Sequence, residues 1–131
     1  MVNTEDKTVA RTVAVPSEAP GGLEALRSGH FGHCTHFTLV RIADGQIAAI
    51  EIVDNVPHME GGCLQPVMLL AGCGANDLIV AGMGGRPLAG FNEVGIDVYF
   101  DSERPLVGDV VEAFLAGELA LMSPGMVCGG H

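Results

Sequence analysis

The stretch His36 to Val53, HFTLVRIADGQIAAIEIV, decides how this chain folds. Two runs rich in Val, Ile, Thr and Phe, His36 to Ala43 and Gln46 to Val53, flank Asp44-Gly45, the residue pair suited to a two-residue turn with both central positions at positive φ. This predicts an antiparallel hairpin. Upstream, Thr8 to Val15 is dense in β-branched residues and meets Pro16, which reads as a first strand ending at a turn. Pro16 to Gly29 then carries Pro, Ser and Gly around one short periodic patch, Leu23 to Leu26, and reads as a long exposed connection.

Downstream of the hairpin the period changes. Leu64 to Ala71 is apolar, with Pro66 near its start and Gly72 and Gly74 after it, the punctuation of a short helix. Asp77 to Ala81 is a buried-strand run, Arg86 to Val94 a helix opened by Pro87 and closed by Gly95, and Ile96 to Phe100 another strand. Leu106 to Ala116 places Leu106, Val107, Val110, Val111, Phe114 and Leu115 at helical spacing before Gly117. The order is β-β-β-α-β-α-β-α, an α/β fold with a mixed sheet whose later strands are joined by helical crossovers. Residues 1–121 are expected to form a single cofactor-binding domain, and Met122 to His131, with Pro124 and three glycines and no periodicity, a flexible tail.

Composition narrows the function. A chain of 131 residues has room for one core. Its 48% apolar content marks it as globular, and no apolar run approaches the roughly 18 residues of a membrane span. The first residues lack the basic and apolar pattern of a secretory signal, so a cytoplasmic location is expected, with no membrane partner. Sixteen acidic residues against six basic give a net charge of -10, which repels a phosphate backbone and argues against nucleic acid. In a reducing compartment, four cysteines beside five histidines and six methionines point to metal or redox chemistry rather than disulfides.

Right-handed crossovers place the connections 16–35, 54–63 and 82–86 on one side of the sheet, the side where open α/β sheets bind ligands. Within them, His30-Phe31-Gly32-His33-Cys34 offers imidazole and thiol donors for Fe, Cu or Zn, while His36 reads as a solvated loop residue or a strand cap. His58 to Cys63 sits between a strand and a helix; Gly61 and Gly62 allow close backbone approach, and Cys63 near a helix N-terminus is either a ligating thiolate or a packing residue. Gly82, Met83, Gly84, Gly85 and Arg86 open a helix with backbone N–H groups and a guanidinium that suit an anion. This is not the dinucleotide fingerprint, because Pro87 stands where the third glycine belongs. Cys128 and His131 add soft donors in the tail, whereas Cys73 falls at the far end of its helix and reads as packing. The donors proposed for metal are therefore His30, Cys34, Cys63, Cys128 and His131, with His33, His58 and the 82–86 loop also in the cofactor site.

The order of His30-Phe31-Gly32 with Phe37, then Asn55, His58 and Gly61-Gly62, then Gly82 to Gly85, then Gly95 to Tyr99 resembles the dinitrogenase iron-molybdenum cofactor biosynthesis family, which includes NifX, NafY, the C-terminal part of NifB and the orange protein. The likeness spans roughly Thr8 to Leu121. It implies an RNase-H-like fold with a five-stranded mixed sheet and a role in binding or passing on a metal-sulfur cluster of Fe-Mo, Fe-S or Mo-Cu sulfide type. It also implies a cluster contact at His30 and a glycine-rich loop at 82–85. His33, Cys34, His36, Cys63 and Cys128 to His131 lie outside the family pattern and rest on their own chemistry.

The expected function is a non-enzymatic carrier or assembly protein, a metallochaperone. Its partners would be a cluster donor or acceptor protein, with a MinD/Mrp-type ATPase among the candidates. The alternative is a regulatory interaction module that senses metal or binds a partner ATPase. A thiol or metal-dependent enzyme using Cys34 or Cys63 finds no nucleophile elbow or triad order in support. Nor does the first strand carry the acidic residue an RNase H nuclease needs, having Val9, Arg11, Val13 and Val15.

Overall fold

A computed structural model describes residues 11–28, 34–54, 65–82 and 85–122. The elements in chain order are β1 (Arg11–Ser17), β2 (His36–Ala43), β3 (Gln46–Asp54), α1 (Gln65–Gly72), β4 (Asp77–Val80), α2 (Gly85–Glu93), β5 (Asp97–Phe100), α3 (Val107–Leu115) and β6 (Ala120–Leu121). The sheet runs β3-β2-β1-β4-β5-β6. β1 pairs antiparallel with β2 and parallel with β4, and β4 is parallel to β5, so the sheet is mixed as expected.

The hairpin forms where its turn residues require it. Asp44 (φ 56) and Gly45 (φ 76) both take positive φ, the type I′ geometry that matches strand twist. A bulge at Ala48 then shifts the register, since Arg41 faces Ala49 while Ile42 faces Ile47. β1 and β4 are buried throughout their centres, and alternation along β1 sends Ala14 to one face and Val13 and Val15 to the other. On the first face α1 and α2 bury Val67, Leu70, Leu88 and Phe91 against Phe37, Leu39, Leu78 and Val98. On the second, α3 buries Val107, Val110 and Val111 against Val13, Val15, Val40 and Ile79. The hydrophobic burial of both faces is what holds the three layers together.

Three expectations are corrected. The first strand does not stop at Pro16 but continues to Ser17, because β4 pairs with β1 only at Val13 and Ala14 and the missing proline N–H breaks no bond there. Residues 8–10 of that expected strand lie outside the described residues. The sheet has six strands rather than five: the two-residue β6 pairs antiparallel with β5 through Tyr99–Leu121 and Phe100–Ala120, and is too short to carry an alternating pattern. Met122 belongs to the core rather than to a tail, being 6% exposed and donating its N–H to the Val98 carbonyl at 2.7 Å. Residues 123–131 lie outside the described residues.

Tyr99, the only tyrosine in a chain without tryptophan, stacks edge-on against Phe114 with ring centroids 5.0 Å apart. Burial, together with the negative charges of Asp77 and Asp97, pushes its phenol above the ordinary value of 10.0. The folded state thus favours the neutral phenol. The stability this contributes is complete below pH 10 and is lost as pH rises through the raised folded value. Titration followed by phenolate absorbance is expected to give a higher midpoint for the native chain than for the chain in denaturant; equal midpoints would refute the burial argument.

Candidate functional site

β1, β4 and β5 point the same way, and β3, antiparallel to β2, points with them. The connections 18–35, 55–64, 81–84 and 101–106 therefore leave the sheet at one edge, and α1, α2 and α3 all begin there. This edge is the candidate site.

Its described framework is built from hydroxyls and carbonyls. Ser17 Oγ donates to the Val15 carbonyl at 2.7 Å and shares a 2.8 Å hydrogen bond with Thr38 Oγ1, and both side chains are buried. Thr38 Oγ1 also accepts from the Gly22 N–H at 3.0 Å, which pins the 18–28 connection to β2. Gly21 is required at its position: φ is +80, and a Cβ would stand 2.8 Å from Ile52 Cγ2. The same connection caps α3, whose N-cap Leu106 supplies no side-chain bond. The Val107 and Gly108 N–H groups donate instead to the Ala25 and Leu23 carbonyls at 3.0 and 2.8 Å.

Arg27 locks two of the four loops together. Its Nε and Nη2 donate to the Arg104 carbonyl at 3.0 and 2.7 Å, its Nη1 donates to the Asp101 carbonyl, and its backbone N–H donates to the Pro105 carbonyl at 2.7 Å. The Asp101 carboxylate, 1% exposed, caps the turn that follows β5, accepting from the Glu103 N–H at 2.8 Å and from Arg104 Nη1 at 3.2 Å. Arg104 also reaches Glu118 at 3.1 Å. Beside it a shallow depression of about 400 Å³ is lined by Arg104, Asp109, Glu112, Ala113, Ala116 and Glu118 and contains none of the expected donors.

Of the expected donors, Cys34 is placed just below the edge, 5% exposed and packed in the core with Phe37. Gly82 is half-buried two residues after β4, and Gly85 and Arg86 begin α2. His30, His33, His58, Cys63, Met83, Gly84, Cys128 and His131 lie outside the described residues. Among the described residues no group of three or more His, Cys, Asp or Glu is arranged to hold a metal ion. His36 closes the gap between the ends of β2 and β3, as a strand cap does. Its Nδ1 is 2.8 Å from Thr35 Oγ1, and its Nε2 is 3.4 Å from Asp54 Oδ1. Cys73 lies at the far end of α1 and packs against the core. Sequence reasoning missed the 101–106 loop with Asp101 and the anchoring role of Arg27. The signal for the loop was present, since a β5 parallel to β4 opens on the same edge.

Comparison with known proteins places this architecture. The family model described as dinitrogenase iron-molybdenum cofactor matches residues 11–117. An uncharacterized protein of Methanocaldococcus jannaschii is 34% identical over 94 residues, covering 70% of this chain and 79% of the relative. The apo form of the orange protein from Desulfovibrio gigas superposes with a TM-score of 0.75 at 29% identity, covering 86% of this chain and 93% of its own. A NifB-like protein from Thermotoga superposes with a TM-score of 0.68 at 25% identity, covering 85% and 92% of the two chains. No helix among the described residues is long and apolar enough to cross a membrane. The chain, matched over nearly the whole of its described fold, belongs to the dinitrogenase iron-molybdenum cofactor family.

Proposed function

We propose that this chain is a non-enzymatic carrier or assembly protein that binds a metal-sulfur cluster as cargo at the shared loop edge and hands it to an acceptor protein. The observation that carries this reading is the convergence of chemistry-bearing connections. His30, His33, Cys34, His58 and Cys63, three of the five histidines and two of the four cysteines, lie on loops leaving that one edge. Helix starts add to it. The first N–H groups of α3 are taken by carbonyls, while α1 and α2 also begin at this edge, where helix dipoles favour negative charge. Metal-sulfide cores are anionic, and thiolate and imidazole are the donors that suit Fe, Mo and Cu in such cores. Loop-borne ligation at an edge favours release over permanent capture, as hand-off demands. Cys128 and His131 would join such a site only from the tail. The matches lend no support to the expected ATPase partner.

The test is to purify the protein anaerobically, record its visible spectrum, and quantify Fe, Mo, Cu, Zn and sulfide per chain before and after adding tetrathiomolybdate with copper or an Fe-S donor. Colour with bound metal and sulfide is expected. His30→Ala and Cys63→Ser are expected to lower the loaded fraction severalfold without moving the melting temperature. A chain that stays colourless and empty with every donor would overturn the carrier reading in favour of an interaction module.

A further inference from the structure

β3 is the outermost strand of the sheet, and β2 is its neighbour on one side. Which of its backbone groups face outward follows from bonds made across the sheet. The Asn76 N–H reaches the Thr12 carbonyl at 2.8 Å and the Ser28 N–H reaches the Pro16 carbonyl at 2.9 Å, so Thr12 and Pro16 face away from β2. Alternation along the strand then turns Val13, Val15 and Ser17 toward it, bonding Val40, Thr38 and His36. Leu39 and Phe37 are left to bond Glu51 and Val53 of β3. Ile50 and Ile52 therefore turn their N–H and C=O groups outward, and among the described residues no hydrogen bond reaches them.

Sheet edges are ordinarily guarded by lysine, by proline, by a bulge or by being very short. The other edge, β6, has two residues. Gln46–Asp54 has nine, without lysine or proline, and its central carboxylate, Glu51, is held by Arg41 at 2.7 Å. The bulge at Ala48 lies toward the turn and leaves residues 49–54 in regular register with β2. Ile50 and Ile52 stand opposite Val40 and Thr38 and remain 41% and 43% exposed. An unguarded edge with two exposed isoleucines is built for pairing.

We infer that two copies of this chain pair antiparallel along β3, so that one sheet runs through both across a two-fold axis. A second copy fits this edge because an antiparallel two-fold sets each outward N–H against an outward carbonyl at the same spacing. Charge agrees with it: a two-fold through Ile50 or through Ile52 sets no carboxylate opposite another, whereas one through Glu51 would. Assembly stops at two, since β6 offers no comparable edge for a third copy. A regular ladder over residues 49–54 is about 20 Å long and buries less than the roughly 1,200 Å² of a standard interface, which makes the dimer weak and reversible. Each chain carries a charge of -10, so the copies repel at long range and the dimer tightens as salt screens that charge. The two loop edges then point in opposite directions, and each copy keeps its own. This contact goes beyond the carrier reading and needs no cargo.

The experiment is sedimentation equilibrium under reducing conditions, which exclude disulfide links, from about 1 μM to about 1 mM chain at about 0.01 and about 0.15 M salt. The wild type is expected to reach half-association near about 100 μM at the higher salt and to bind severalfold more weakly at the lower. Ile50→Lys places a guard residue on the edge and is expected to weaken association at least about tenfold with little change in melting temperature. Leu121→Lys, on the opposite edge, is expected to stay within about twofold of wild type. A chain that remains monomeric at about 1 mM at both salts overturns the inference, as does assembly that grows past two. So does an Ile50→Lys variant that associates like wild type, or a dimer that loosens as salt rises, which a contact between opposite charges would explain. Should Ile50→Lys fail to fold, hydrogen exchange of the wild type decides. The peptide spanning Gln46–Asp54 is expected to exchange severalfold more slowly at the highest concentration than at the lowest, and equal rates overturn the pairing.

Discussion

Phe37→Ala is expected to lower the unfolding free energy by about 3–5 kcal/mol. Phe37 is fully buried, second in β2, and faces Pro16 of β1 on one side and Val53 of β3 on the other. It is one of the largest side chains in the core that joins α1 and α2 to the sheet, and Cys34 belongs to the same cluster. Truncation removes the transfer free energy of the ring and opens a cavity where three strands meet, a place with little freedom to collapse. Against a total stability of about 5–15 kcal/mol this is a large fraction. Denaturant unfolding should show a lower midpoint with an unchanged slope, and Phe37→Leu should recover more than half of the loss. A midpoint shift worth less than about 1 kcal/mol for the alanine variant would show that the ring is not the packing centre described. Because Phe37 follows directly on Cys34, Thr35 and His36, the same variant is expected to loosen the C-terminal anchor of the His30 loop.

Arg11→Ala is expected to cost about 2 kcal/mol, through the partner it abandons rather than through its own contacts. Asp77 opens β4 with no exposed surface, and its two oxygens receive Arg11 Nε at 2.9 Å and Nη2 at 2.8 Å. Breaking a buried pair leaves a charge without compensation, worth about 3–5 kcal/mol where water is excluded. Arg11 is itself 49% exposed, so trimming it admits water and reduces the cost. Asp77 in turn holds the Arg11 guanidinium above its ordinary value, chiefly through these hydrogen bonds. Arg11→Lys keeps the charge and loses the fork, for an expected cost of about 1 kcal/mol. The decisive measurement is a double-mutant cycle: Arg11→Ala with Asp77→Ala should be less destabilised than the sum of the two single variants. Simple additivity would show that the pair carries no coupling.

Much of this architecture was legible locally. The Asp44-Gly45 turn, the strands around it and α3, expected over Leu106 to Ala116 and found at Val107–Leu115, follow from turn chemistry and a 3.6-residue period. Errors came where the local signal is weak or points the wrong way. Pro16 reads as a strand breaker until the short reach of β4 along β1 is known, and Ala120-Leu121 carries no pattern at all. The candidate edge was legible as well, because right-handed crossovers oblige β3, β4 and the connections after them to open on one side. The fourth loop and the hydrogen-bonded framework of the site were not, because both depend on contacts between distant segments.

The sequence by itself determined the type and order of the elements from β1 to α3, the family likeness and the edge at which His30, His58 and the 82–86 loop leave the sheet. Those properties depend on residue period, turn residues and chain handedness, all of which act over a few positions or follow from topology. Only the tertiary structure decided which polar groups meet. Arg27 and the Asp101 carbonyl are 74 residues apart, Arg11 and Asp77 are 66 apart, and Ser17 and Thr38 are 21 apart. Such pairings have no local signature, because an arginine on a loop looks the same in sequence whether it binds a carboxylate or a carbonyl. Packing of the two faces brings the partners together.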